Sequence, residues 1–331
     1  MKFGDIAVAN AEGAILAHSV AVENGRLRKG LVLGPAEIDR LKEFGMERVV
    51  AVQLEPDDVV EDKAAERIAK CLIAPGLSAE PVSNGRVNII TQSPGLIRVD
   101  ETTVHGLNRI DEGLSLATLP DLMKVDRGQL VATVKIIPYA LPEAVLRAGE
   151  KSCQSSPIAL KPFQGGSASL IMTRTPGFKD SLLEKGRSVV AERLSGIGYG
   201  LGETKIVKHE ANAVADALAA SKTDLTLILG ASATSDRSDV APAAVVQAGG
   251  RIERFGMPVD PGNLLFLGSI GNNPVVGLPG CARSPALNGV DWVLERLSAG
   301  VPITSNDIAA MGVGGLLKEM PGRPQPRRPK S

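Results

Sequence analysis

The sequence has no surplus of either charge: 37 Lys and Arg balance 37 Asp and Glu over 331 residues. A general nucleic-acid binder would show a basic excess, so that class of partner is not expected. Cysteine is scarce. Cys71, Cys153 and Cys281 are odd in number, widely spaced and without a Cys-x-x-Cys pair. This argues for a reducing compartment and against a disulfide framework or a zinc site. His18, His105 and His209 are equally scattered and form no metal motif. No apolar run reaches the ~18 residues that a membrane span needs. The start, Met1 to Asp5, lacks the basic-then-apolar order of a secretory signal. A cytoplasmic location without membrane attachment is therefore expected. Aromatic residues make up only 3%, so aliphatic and small side chains must fill the core, as where helices pack closely on a sheet. Two phosphate-binding fingerprints are also missing. There is no Gly-Lys-Ser/Thr loop, and no Gly-x-Gly-x-x-Gly directly after a first strand. Gly198 to Gly202 holds glycines but reads as a connecting turn between a helix and a strand.

The order of elements is what the chain does offer. Up to about residue 75, Pro35 to Gly45 reads as a helix with Ile38, Leu41 and Phe44 on one face. Val49 to Val52 reads as a strand, and Asp62 to Leu72 as a second helix. From about 76 to 165, Val87 to Ile90, Gly95 to Val99 and Leu130 to Ile137 read as strands bounded by Gly, Pro and Asp. Residues 142–166 are mixed and read as a connection. This N-terminal α+β region, 1–165, thus divides at about residue 75.

From residue 166 to 300 strand and helix alternate. Ser169 to Thr173, Thr204 to Val207 and Leu225 to Leu229 are strands. A helix opens at Ser181 with Glu184 in capping-box position, and others span Ala213 to Ala220 and Val240 to Gln247. Leu264 to Leu267 and Pro274 to Gly277 flank a hairpin signal at Gly271-Asn272. Such alternation implies βαβ units and a mainly parallel three-layer α/β domain with helices on both faces. Residues 301–331 form a C-terminal extension, partly flexible. In it Gly312 to Gly315 reads as a joint, and Arg323, Arg327, Arg328 and Lys330 as a solvated tail.

In parallel sheets the ligand crevice lies outside the carboxyl ends of the strands. Three polar loops fall there: Thr173 to Ser181, Gly230 to Asp239, and Pro279 to Ser284. In the second loop Gly230, Ala231 and Ala233 permit close backbone approach, and Ser232, Thr234 and Ser235 supply hydroxyls. Asp236 and Asp239 suit a magnesium ion held through water, although Asp239 equally suits a plain helix cap. In the third loop Pro279, Gly280, Cys281 and Ala282 precede Arg283, whose guanidinium can hold phosphate by two bonds. Ser284 before Pro285 reads as the N-cap of the next helix. Cys281 invites a chemical role, but no histidine is close in sequence and small buried cysteines are common. Met257 to Asn263, with Pro261 and Gly262, is either a plain connection or a pocket wall.

The succession of Gly230-Ala-Ser, Asp236, Asp239, Pro261-Gly262 and Gly277-Leu-Pro-Gly280 resembles the molybdopterin-binding domain. That domain occurs in molybdopterin adenylyltransferase, molybdopterin molybdenumtransferase and gephyrin. Gly85 to Asn88, Ala132 to Pro138, Phe255 to Asn263 and Gly280 to Pro285 are similar to segments of bacterial molybdopterin-binding proteins often fused to a cytidylyltransferase-like domain. On that likeness this chain corresponds to the stand-alone first half. The resemblance implies molybdenum cofactor biosynthesis or handling, with molybdopterin or its nucleotide form as ligand. It implies Mg2+ at Asp236 and Asp239, ATP as co-substrate, and adenylyl transfer or molybdate insertion. Glu210 is the nearest counterpart of a family acidic residue after the second strand. The alternative is a non-catalytic carrier that hands cofactor to a cytidylyltransferase or a molybdoenzyme. A homo-oligomer is implied as well. The chain departs from the pattern at Ala231 and Ser235, where the family has glycine. Cys281-Ala282 replaces Asn-Pro, and Asp260 and Asn263 stand where the family has lysine.

Overall fold

The computed structural model describes residues 1–23 and 25–317, so the basic tail from Arg323 to Lys330 lies outside the described residues. The chain divides into two compact units, Met1–Leu160 and Lys161–Ser331.

The first unit has two apolar cores. One gathers residues between Val8 and Ala51, including Leu16, Leu33, Ile38 and Leu41. The expected helix is there, Pro35–Glu43, and it ends before Gly45, whose φ of 80° only glycine adopts easily. It packs in one core with the sheet of Lys2–Ala7, Arg48–Gln53 and Ile15–Leu16. The other core lies between Ala64 and Leu160. Here Leu114–Thr118, Leu130–Ile136, Arg86–Thr91 and Leu77–Ala79 form an antiparallel sheet. Helices Glu61–Leu72 and Glu143–Ser152 bury Ile68, Leu72 and Leu146 in the same core. The segment read as a mixed connection is therefore that second helix followed by a strand, Ile158–Pro162. A guanidinium ties the two helices: Arg67 pairs with Glu143 at 2.6 Å and with Glu150 at 2.8 Å.

The second unit is the alternating domain. Its strands are β1 (Gly166–Arg174), β2 (Tyr199–Lys208), β3 (Leu225–Leu229), β4 (Arg251–Phe255), β5 (Phe266–Ile270) and β6 (Asn273–Leu278). They form one six-stranded sheet in the order β2-β1-β3-β6-β5-β4. The first four strands of that order are parallel, and β5 and β4 add antiparallel pairs. Helices α1 (Asp180–Ser195), α2 (Ala211–Ala219), α3 (Val240–Gln247) and α4 (Gly289–Ser298) cover both faces. Side chains alternate along each strand. Leu170 and Met172 join Leu183 and Val190 of α1 and Val290 and Val293 of α4 in one layer. Ile171 and Ile228 join Val214 and Leu218 of α2 and Val245 of α3 in the other. The domain is α/β with a mainly parallel sheet, as its pattern predicts.

Several boundaries differ from the sequence reading. Helix α1 begins at Asp180 with Lys179 as an N-cap that makes no side-chain bond, so Ser181 and Glu184 form no capping box. The glycines from Gly200 to Gly202 lie inside strand β2, and only Gly198 makes the turn, at φ 81°. Strand β5 starts two residues later than Leu264. The β4 strand was not expected, because Arg251-Ile-Glu-Arg-Phe255 is a polar, solvent-facing edge. Of the stretch Gly312 to Gly315, only Gly315 is buried, and Val313 is 98% exposed. Asp260 donates to the Gly315 carbonyl at 2.8 Å, and Leu317 beyond it is fully buried.

Candidate functional site

The carboxyl ends of β1, β2, β3 and β6 share one rim because these strands are parallel. The segment after β4 joins them there, since β4 runs antiparallel to β5 and β5 antiparallel to β6. At the rim β1 leads into α1 on one face of the sheet, while adjacent β3 leads into α3 on the other. A reversal of this kind opens a crevice between the two strand ends.

Thr173, near the end of β1, is fully buried. Its Oγ1 accepts the Ala231 amide N–H at 2.7 Å and lies 2.8 Å from His209 Nδ1. His209 follows β2, anchored by its own amide on the Arg174 carbonyl at 3.1 Å. From the far side of the crevice Arg283 Nη2 donates to the Gly230 carbonyl at 2.7 Å. The guanidinium also stacks near the Phe178 ring, 5.7 Å from its centroid. Arg283 Nε is buried without an acceptor, and no carboxylate pairs with the side chain among the described residues. Burial lowers the pKa of this guanidinium, since desolvation penalises its charge. The cation is thus half-buried and uncompensated, which favours an anion beside it.

The Gly230–Asp239 loop is divided in its use of hydrogen bonds. Ala231 N–H goes to Thr173 and Ser235 N–H to Asp239 Oδ2 at 3.1 Å. For the amides of Ser232, Ala233 and Thr234 no protein acceptor is found among the described residues. Those three are the ones open to a ligand. Asp239 caps α3, with Oδ1 accepting the Val240 N–H at 2.7 Å. Each of its oxygens thus accepts one backbone amide. Asp236 is exposed and accepts the Ser238 amide at 2.7 Å. The Ser238 amide and then its hydroxyl hold the Asp236 carboxyl below the usual range. Among the described residues no group of three or more His, Cys, Asp or Glu is placed to hold a metal ion. Glu210 is the exposed N-cap position of α2 and makes no side-chain cap bond.

The last loop departs most from the sequence reading. Gly280–Arg283 is one 3-10 turn, and Ser284 follows it in extended conformation. Helix α4 starts later, at Gly289, capped by Asn288 in a capping box with Asp291. Ser284 is thus not the cap, and Arg283 is not at the start of α4. The turn also consumes amides, with Ala282 N–H on the Pro279 carbonyl at 2.9 Å and Ser284 N–H on Cys281 at 3.0 Å. Cys281 is exposed rather than buried, and its Sγ accepts from Asn288 Nδ2 at 3.1 Å. Pro261, Gly262 and Asn263 lie at the same rim but act as a seat for α4. The Pro261 carbonyl accepts the Gly289 N–H at 2.8 Å. A Cβ on Gly262 would come 2.9 Å from that nitrogen. Asn263 folds back on Met257 through both its carbonyl and its side chain.

Of the residues picked from sequence, then, Thr173, Gly230, Ala231 and Arg283 converge. His209 was missed. Its signal was weak, being one histidine just past a predicted strand, and only the β2–β1 pairing brings it to Thr173.

Comparison with known families finds a domain of unknown function (DUF8806) at residues 5–53. No curated protein matches the chain. Among solved structures, a molybdopterin biosynthesis MoeA protein from Pyrococcus horikosii is similar over 90% of this chain and 75% of its own. Identity is 12% and the TM-score 0.32. A molybdenum cofactor biosynthesis protein B is similar over 40% of this chain and 88% of its own, at 16% identity and a TM-score of 0.28. At these values neither likeness says what this chain binds or catalyses. No helix among the described residues is long and apolar enough to cross a membrane.

Proposed function

We propose that the second unit binds a phosphorylated small molecule in the crevice between the ends of β1 and β3, and that this ligand is molybdopterin or its nucleotide form. The chain would then serve molybdenum cofactor biosynthesis or handling. One observation carries the reading: Arg283 holds a half-buried positive charge at that crevice with no carboxylate to balance it. The open amides from Ser232 to Thr234 supply uncharged donors beside it. The long segments that resemble molybdopterin-binding proteins supply the pterin.

Binding without turnover is favoured over catalysis by Asp260 and Asn263, which stand where the resembled family has lysine and so reduce the positive charge available to a substrate phosphate. Magnesium and ATP would arrive together as a nucleotide complex, not through a carboxylate cage, and no chemical step is assigned to them. Anaerobic calorimetric titration with molybdopterin tests the binding. Saturable binding that Arg283→Ala weakens about tenfold or more is expected, as for a lost charge-assisted hydrogen bond. No binding by the wild-type protein, or an unchanged affinity in the variant, removes the reading. Incubation with molybdopterin, ATP and magnesium separates carrier from enzyme. Release of pyrophosphate or AMP would make the protein a transferase.

A further inference from the structure

The hydroxyl of Thr173 has a proton to place. It is fully buried, it accepts from the Ala231 amide at 2.7 Å, and its other partner is His209 Nδ1 at 2.8 Å. A hydroxyl carries one donor and two acceptor sites, and a buried donor left unpaired is costly. The amide cannot accept, so the proton goes to Nδ1. That nitrogen must then be bare, and the ring's own proton sits on Nε2. Nε2 meets no protein partner among the described residues.

The bare side of Gly230 faces the same ring. A Cβ added there would lie 3.1 Å from the Ser232 carbonyl oxygen and 3.9 Å from both His209 Cε1 and the Ser232 nitrogen, while the Gly230 carbonyl is held by Arg283 Nη2 at 2.7 Å. Nη1 of that guanidinium makes no hydrogen bond within the protein among the described residues. An uncharged N–H and a charged one therefore flank a residue without a side chain.

We propose that His209 is a neutral hydrogen-bond donor of the anion site, with its Nε2–H and the Arg283 guanidinium holding one phosphate group across Gly230. This rests on the reading of the crevice as a phosphate site. It adds that Thr173 selects the tautomer, so that one of the two donors carries no charge. A phosphate oxygen accepts from both.

The test uses the full-length, 15N-labelled protein and inorganic phosphate as the probe. Long-range 1H–15N spectra at mildly alkaline pH, assigned by loss of signals in His209→Gln, are expected to show a bare Nδ1 and a protonated Nε2. A proton on Nδ1 overturns the proposal. Phosphate titration is expected to move the Nε2–H signal. His209→Phe should weaken phosphate about tenfold, the effect of one lost donor. His209→Gln should recover most of that, because its amide can both accept from Thr173 and donate. Arg283→Ala should abolish phosphate binding while leaving the tautomer as it was. If phosphate binds without moving Nε2–H, or binds His209→Phe as tightly as the wild type, the donor role is wrong and the phosphate site stands. If phosphate moves Nε2–H but molybdopterin does not bind, the donor role stands and the pterin reading falls.

Discussion

Asn288 Nδ2 donates to Cys281 Sγ at 3.1 Å while Asn288 Oδ1 accepts the Val290 amide at 3.2 Å. One buried side chain thus caps a helix and fastens the turn that carries Arg283. Loss of an N-cap costs about 1–2 kcal/mol. Asn288→Ala is expected to lower stability by about that amount in urea unfolding. Ser284→Ala, at the position that looks like a cap in sequence, should change it by less than about 0.5 kcal/mol, as for an ordinary surface substitution. Equal losses in the two variants would contradict the observed start of α4.

This pair also shows how far the sequence could be read. The parallel sheet was legible because Leu225 to Leu229 is apolar apart from Thr226 and each of the first three strands is followed by a helical period. The three rim loops followed from that order alone. The cap was misassigned because Ser284-Pro285 satisfies a local rule, while Asn288 wins through tertiary packing. Its capping box with Asp291 was visible in principle, but Asn288 is followed by Gly289, a poor helix former. His209 was illegible for another reason. Its partner Thr173 is distant in sequence, and the two meet only through strand pairing. Asp239 could be read both ways until its two amide bonds were seen.

Gly277 faces Phe266 across the β5–β6 ladder. A Cβ at Gly277 would come 2.0 Å from Phe266 Cε1, and the ring is 1% exposed. Neither can yield without repacking the layer beneath α3. Overpacking of this kind costs about 1–3 kcal/mol, occasionally more. Gly277→Ala should sit at or above the top of that range in chemical denaturation. Gly277→Ala combined with Phe266→Leu should recover part of the loss, and a fully additive double variant would show that the ring is not the obstacle.

Glu143 in the first unit has its pKa lowered from 4.5 to about 2 by the Arg67 and then the Arg147 guanidinium. A depressed carboxyl pKa adds stability above the unfolded-state value, and that stability is lost as pH falls through the folded-state value. The window therefore runs from about 4.5 down to about 2. Melting temperatures of the wild type and Glu143→Gln should differ most above the window and converge within it. A gap that stays constant across that range would mean the side chain acts by packing rather than by charge.

Arg193 of α1 reaches the same rim segment from below. It pairs with Asp291, and its Nη2 donates to the Ser284 carbonyl at 2.5 Å and the Ala286 carbonyl at 2.8 Å. Both charged side chains are largely buried, at 9% and 14% exposure. Removing one partner of such a pair costs about 3–5 kcal/mol, because the other charge is stranded. Arg193→Ala is expected to lose roughly 3 kcal/mol on that basis. Arg193→Lys should rescue little of it, since an ammonium keeps the charge but not the fork that spans two carbonyls and a carboxylate. The ligand should notice as well. Residues 284–288 connect Arg283 to its helix, so freeing them loosens the guanidinium at Gly230. Phosphate affinity measured under conditions where Arg193→Lys is still folded should fall several-fold, with the His209 tautomer unchanged. An affinity equal to wild type would show that Arg283 is held by Gly230 and Phe178 alone.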